Sequence, residues 1–487
     1  MLRYLFAFTL VLLFGLTFFY FVMPTISYGF IGLPLGILMT TLLFILLMIR
    51  QPRKVNSSIS KSIVWASVVV VACVAYLVLV PMASTWALFH AKDYHELIGE
   101  IKEGENFAKD IAPISTEKIR IVDQGVANRL GDKVLGVKPS LGSQVRLGRF
   151  NIQTVGDKLY WVAPLHHSGF FKWQQNKQGT TGYVKVSVTN ERDVELVQEV
   201  NDRPIHIKYQ PSAYFGGNLR RHIYFNGYIT QGYTDYTFEI DDTGEPYWVV
   251  TLYDKKIGFS GNEAKGVILV HAETGDIQEY DIQSVPLWVD RVQPADFIVK
   301  QLDDWGEYVH GYWNFSNKDK LMTTKGISLV HGEDGKSYWY TGLTSVGSDE
   351  GTVGFVLVNT RDKSATWYRQ IGATEYDARK SAMGKVQEKE YNASFPITYN
   401  INGIPTYVMS LKDDAGLIKM IAMVSVEDYS IVGVGNNLKE SLRTYKNAYN
   451  TSGNDINPSS TVETFFSRDK IKRISTDISN GNTYYYM

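Results

Sequence analysis

Gly244-Glu-Pro-Tyr-Trp-Val249, followed by Gly266-Val-Ile-Leu-Val270 and then Ala272-Glu-Thr-Gly-Asp276 ahead of Ile277, decides how most of this chain is read. A glycine opens the first run, and both runs consist largely of β-branched and aromatic residues that suit a pleated, half-buried surface. A polar turn then leads to a third short run. Together they predict an antiparallel meander.

The same order recurs on either side. Gly156-Asp-Lys-Leu-Tyr-Trp-Val162, Gly335-Lys-Ser-Tyr-Trp-Tyr340 and, less faithfully, Gly403-Ile-Pro-Thr-Tyr-Val408 repeat the first strand, their glycines and Gly244 being spaced 88, 91 and 68 residues apart. Gly182-Tyr-Val-Lys-Val186, Gly354-Phe-Val-Leu-Val358 and Ile421-Ala-Met-Val-Ser-Val426 repeat the second strand, and residues 366–368 repeat the third. Ile298, Leu302, Trp305 and Val309 stand at helical spacing before the third unit, and residues 376–389 read as a shorter helix before the fourth. The expected fold class is N-terminal transmembrane helices followed by an α+β, β-rich region of tandem helix-plus-antiparallel-meander repeats. The repeats are expected at 112–203, 204–293, 294–372 and 373–446.

Tyr247, Trp248 and Val249, with the run from Gly266 through His271, Ala272, Glu273, Thr274, Gly275 and Asp276 to Ile277, resemble the PepSY domain of bacterial envelope proteins. The resemblance covers residues 205–292, and the other units lack its Thr-Gly turn. It implies an extracytoplasmic module that inhibits or regulates proteases or binds envelope partners, and it implies no catalytic residues. Beyond the fourth unit, residues 447–460 read as an Asn-, Ser- and Gly-rich linker. Lys470-Ile-Lys-Arg-Ile474 and Asn480-Gly-Asn-Thr-Tyr-Tyr-Tyr486 read as strands around an Asn-Gly hairpin, either a small β-unit cut short or a strand closing on the preceding domain.

Toward the N-terminus the composition changes. No acidic residue precedes Phe89, and only Arg3, Arg50, Arg53, Lys54 and Lys61 are basic; all 50 acidic and 44 of the 49 basic residues follow, a balance near −6. Residues 4–23, 30–49 and 62–80 are apolar runs long enough to cross about 30 Å of hydrocarbon. Pro24 and Gly29 break the first two apart, and Trp65 and Trp86 suit the interfaces of the third. The membrane domain is expected at 1–89 with three spans; cleavage or re-entry of the first would leave two. Basic residues before the first span and between the second and third place those segments in the cytoplasm and everything after the third outside the cell membrane. Residues 90–111 read as a helical stalk that holds the domain off the lipid.

The one cysteine, Cys73, lies within the third span and excludes an internal disulfide. The slightly acidic remainder gives no footprint for nucleic acid. His166-His167 lack further ligands at metal spacing and read as loop histidines in polar contacts, while His271 and His331 read as strand or turn residues. Asp241-Asp242 and Asp349-Glu350 lie beside glycine and read as solvated turns. Nucleophile-elbow, zinc-protease and phosphate-loop motifs are missing. No catalytic, cofactor-binding or metal residue is assigned, and no cofactor is expected. The recurring Trp and Tyr read as core rather than as the lining of a groove. The partners implied are the lipid bilayer and another envelope protein, with specificity in the loops 164–181, 253–265 and 344–353. The expected role is a membrane-anchored interaction or scaffold protein that regulates a protease or an envelope complex. The alternative is a cell-wall-acting enzyme or an accessory subunit of a transport complex.

Protease added outside intact cells is expected to digest the region after Phe89 and to spare a fragment carrying the spans. A tag at Met487 that stays shielded until the membrane is opened would reverse the orientation.

Overall fold

The computed structural model of the protein describes residues 2–49, 57–105, 107, 114, 118–156, 158–332, 335–347, 352–369, 372–452, 475–479 and 482–486. Arg50, Arg53, Lys54, Asp349, Glu350, residues 470–474 and the Asn480-Gly481 turn lie outside them.

Three helices, α1 (Leu2–Val22), α2 (Gly32–Ile49) and α3 (Ser57–Thr85), are long and apolar enough to cross a membrane. Most of their large apolar side chains point outward, as lipid solvation requires. In α2, Gly36 lies against the Phe18 ring, so that α1 and α2 meet closely. The apolar window of α3, Lys61–Thr85, runs past the expected end at residue 80 and contains Pro81.

The expected stalk is not one helix. A short helix, α4 (Ala87–Glu96), is followed by a strand, Ile101–Glu103, that pairs in parallel with residues 365–367. Nor does the segment stand free. Ala91, Tyr94 and Ile98 are buried, His95 Nδ1 lies 2.7 Å from the Trp305 carbonyl, and Tyr94 Oη donates to the Thr85 carbonyl at 3.0 Å. Residues 108–111 lie outside the description.

The remainder is built around four sheets, antiparallel apart from the strand Ile101–Glu103 at the edge of the third. A strand absent from the sequence reading precedes each run read there as a first strand (Asn151–Val155, Gly232–Ile240, Ser328–His331 and Ile397–Ile401), so those runs are the long second strands, Lys158–His167, Pro246–Ile257, Ser337–Ser345 and Ile404–Lys412. Gly156, Gly244, Gly335 and Gly403, all at positive φ between 60° and 90°, make the turns that enter them, a conformation that side chains with a Cβ resist. A helix precedes each sheet: Gln124–Gly136, Leu219–Phe225, Ala295–Glu307 and Glu375–Gly384. Asp123, Asn218 and Thr374 cap three of these helices by accepting from Val126 N, Arg221 N and Asp377 N.

One aromatic on each second strand reaches the segment that leads into the helix. Trp161 Nε1 donates to the Val122 carbonyl, Trp248 Nε1 to Tyr209, Trp339 Nε1 to Gln293 and Tyr407 Oη to Ala373, at 2.7 to 3.0 Å. All four rings are buried. The register around them is the same: Trp161 lies between Ile152 and Val186, Trp248 between Phe238 and Val270, Trp339 between Leu329 and Val358, and Tyr407 between Thr398 and Val424.

Alternate residues of each strand then build separate cores. Trp161 and Trp339 share one core with the helix Ala295–Glu307. Val162 and Tyr183, on the back of the first sheet, join Trp248 and Val270 of the second. Tyr340 and Phe355, on the back of the third, join Tyr407 and Val424 of the fourth. Val285, Val289 and Val292 cover the back of the second sheet, and the helix Leu438–Thr451 covers that of the fourth. That helix includes Asn447, so the expected linker begins after it; residues 453–460 lie outside the description. Ser475–Ser479 pairs with Asn482–Tyr486 in a separate two-stranded sheet.

Residues 253–265 are not a loop. The strands Pro246–Ile257 and Ser260–His271 continue through them, and the hairpin tip at Gly258 and Phe259 touches the membrane helices. Phe259 meets Tyr28 and Tyr76, and a Cβ on Gly258 would lie 2.5 Å from the Ser84 carbonyl. The 23–31 connection binds the same unit: Ile26 N donates to the Ile229 carbonyl, Tyr224 Oη to Pro24, and Arg220 Nη2 to Val22.

Tyr407→Phe removes one hydroxyl and leaves the Ala373 carbonyl without this donor, an expected loss of roughly 1–3 kcal/mol. Trp161→Ala, which also opens a cavity, is expected to lose roughly 3–5 kcal/mol. Denaturant titration of the purified protein reads both.

Candidate functional site

Between the first and third sheets lies a cleft of about 710 Å³. Its walls carry Trp161 and Trp339, each with an arginine over its ring: Arg120 at 5.7 Å and Arg291 at 5.1 Å from the centroids. The local sequence sets this geometry. Each arginine precedes by two residues the carbonyl that its tryptophan holds, Val122 or Gln293, so the tie that fixes the ring also sets the cation above it.

Arg120 is held on both sides. Its backbone N donates to Tyr399 Oη at 3.2 Å and its Nη1 to the Leu329 carbonyl at 3.4 Å. Burial lowers its pKa, and Tyr399 and Asp123 counter that effect. Asp123 pairs with Lys412 while capping its helix. Asp235 faces the cleft from a bulge in the strand Gly232–Ile240, at φ 51°. Burial raises its pKa and Arg291 opposes the rise. The cleft thus offers mixed charge, with two guanidiniums backed by buried tryptophan rings, a surface suited to an extended polar segment. A second hollow of about 670 Å³ lies on the other side of Arg120, lined by Lys118, Lys158, Asp193 and His331 among others.

Near the cleft is a buried acidic junction. Asp290 Oδ2 accepts from Thr154 N at 2.6 Å and Oδ1 from Ser337 Oγ at 3.2 Å, while Asp290 N donates to Glu239 Oε2 at 3.2 Å. Three sheets meet through these bonds. Burial, and then the neighbouring Asp290, push Glu239 up to about 8. Thr237 Oγ1 donates to Glu239 Oε1 at 3.1 Å, which opposes the rise, and lies 3.3 Å from the Val249 carbonyl.

The residues singled out in the sequence lie elsewhere or in other roles. His166 and His167 end a strand rather than occupy a loop, and both are buried, because the strand continues past Pro164 beneath the second unit. His166 Nδ1 is bonded to Ser212 Oγ and its ring meets Trp248; burial, then Arg146 and His167, push it down to about 4. His271 accepts from the backbone N of Glu273 and Thr274. Asp241 Oδ1 accepts from Thr243 N and Glu245 N, as a turn residue does. His331 lies 3.6 Å from Asp290 and borders the second hollow. Among the described residues, no group of three or more His, Cys, Asp or Glu is placed to hold a metal. Sequence reading missed Arg120 and Arg291, whose common signal is an arginine four residues ahead of a helix start.

No protein-family model, curated protein or solved structure matches the chain.

Glu239 has its folded pKa raised from 4.5 to about 8, so its stabilising contribution is complete below 4.5 and is lost as pH rises through 8. Glu239→Gln keeps the side chain neutral at every pH and leaves an acceptor oxygen. The variant is expected to match the parent near pH 4.5 and to exceed it by about 1 kcal/mol or more above pH 8, read by denaturation across that window.

Proposed function

We propose that the protein is a membrane-anchored, extracytoplasmic interaction protein whose four sheets are copies of one helix-plus-meander module. The observation that carries the reading of binding is the cleft with an arginine stacked on a tryptophan on either side. Tryptophan and arginine are the residues that most often concentrate binding energy where partners meet. The proposed partner is another envelope protein that offers an extended segment with carboxylates to Arg120 and Arg291 and to Arg149, which also lines the cleft. The PepSY resemblance makes regulation of an envelope protease the role this binding would serve.

The module reading is supported by the shared register and by the aromatic-to-carbonyl tie in all four units. The outward orientation is supported by the basic residues near the N-terminus and between α2 and α3. It agrees with contacts that put the 23–31 connection and the end of α3 on the side of the folded domain.

A benzophenone side chain in place of Phe395, which lines the cleft, is expected to give one discrete photo-adduct in native membranes. Arg291→Glu is expected to abolish that adduct without moving the unfolding midpoint by more than about 1 kcal/mol. A cleft that captures nothing, in a protein that turns over peptide or glycan, would overturn this reading.

A further inference from the structure

We propose that the aromatic cluster formed by residues 170–173 and 214–215 is a second membrane-binding element, which inserts beside α1 into the boundary between lipid headgroups and acyl chains. The cluster is built around Trp173, which is buried, and its outer rings are open: Phe171 is 75%, Phe215 48% and Phe170 37% exposed. Phe170 meets Phe171 at 5.6 Å and Tyr214 at 5.1 Å, and Trp173 meets Phe215 at 5.8 Å. The rings therefore form one continuous apolar surface, of a kind that soluble faces rarely expose without use.

The occupant follows from where the cluster sits. Arg221 Nη1 donates to the Phe215 carbonyl at 3.0 Å, while its Nε donates to the Tyr20 carbonyl at 3.4 Å. One guanidinium thus joins the cluster to the last turn of α1, whose apolar window closes at Val22. Phe225, 48% exposed, stacks on Tyr20 at 6.0 Å and extends the surface along the helix. The open rings consequently lie at the level where α1 leaves hydrocarbon, the depth at which aromatic side chains collect.

Charge points the same way. Residues 158–190 and 205–234, which carry the cluster, contain no Asp or Glu, although about one residue in eight after Phe89 is acidic. Lys172, Lys177, Lys208 and Arg220 lie in these segments and suit anionic headgroups. Both aromatic stretches also lie outside the sheets and their preceding helices. Residues 211–217 are inserted between Tyr209, which accepts from Trp248, and the helix Leu219–Phe225.

The test uses the full chain with Cys73→Ala and single cysteines at Phe171, Phe215, Leu16 or Val137. Each variant is spin-labelled and reconstituted in a phosphatidylethanolamine and phosphatidylglycerol bilayer. Labels at 171 and 215 are expected to collide preferentially with oxygen, as the label in the span at 16 does, and those at 137 with a water-soluble nickel chelate. Phe215→Asp beside a label at 171 is expected to lower the oxygen-to-nickel ratio several-fold. Labels at 171 and 215 that behave like the one at 137 would overturn the proposal. So would shielding seen only in native membranes, which would assign the surface to a protein partner, or a ratio indifferent to Phe215→Asp.

Discussion

A carbonyl withdrawn from solvent ahead of a helix must find a donor, and here an aromatic side chain of the adjoining sheet supplies it for all four sheets, at the helix entry in three and ten residues before it at Tyr209. Val122, Tyr209, Gln293 and Ala373 are served by Trp161, Trp248, Trp339 and Tyr407. An unpaired buried carbonyl costs about as much as a lost hydrogen bond, so the ring cannot slide along its strand without exposing that cost. The tie also explains why the residue type is restricted. Phe would fill the space and leave the carbonyl bare, whereas Trp and Tyr combine bulk with a donor. Register, helix placement and the two arginine–tryptophan stacks of the cleft follow from this one bond.

The sheets are joined to each other by side chains that act as backbone. Gln153 donates to the Ile240 carbonyl at 2.8 Å and accepts from Ile240 N at 2.9 Å, extending the second sheet by one amide from the first. Asp290 does the same for Thr154 N while holding Ser337. Gln210, fully buried, donates to Thr180 Oγ1 and the Ile207 carbonyl. Such polar junctions are satisfied only in one arrangement, so they specify how the sheets stack where apolar contact alone would tolerate sliding.

The apolar helices and the strand pattern were legible because each is a long, local, periodic signal. The Trp and Tyr of the second strands were legible as core residues, but not their bonds, since the acceptors lie 34 to 46 residues away. His166-His167 looked like loop residues because Pro164 precedes them, and a proline usually interrupts a strand. Burial beneath the second unit made that inference fail. Residues 253–265 looked like a loop because of Asp254, Lys255, Lys256 and Gly258, yet Lys255 lies 5.1 Å over the Phe30 ring and its Nζ donates to the Phe259 carbonyl. A charged residue on a strand that meets an interfacial aromatic is invisible to local pattern. The stalk failed for the same reason: Lys92, Asp93 and Glu96 do face water, but Ala91, Tyr94 and Ile98 are buried and His95 reaches the Trp305 carbonyl, contacts that local pattern does not show.

The mount on the membrane helices follows from the same long-range logic. Gly29, at φ 85°, lies so near the Gly258 carbonyl that a Cβ would come within 2.7 Å of it, and Gly258 in turn lies against Ser84. Three backbones converge there, from the α1–α2 connection, the hairpin tip and the end of α3, and only glycine permits that approach. Arg220 and Tyr224 add hydrogen bonds to the carbonyls of Val22 and Pro24. A domain tethered by α3 alone would rotate about one connection. Contacts to the α1–α2 connection as well as to the end of α3 remove that freedom, so the folded domain is held in one orientation relative to the spans.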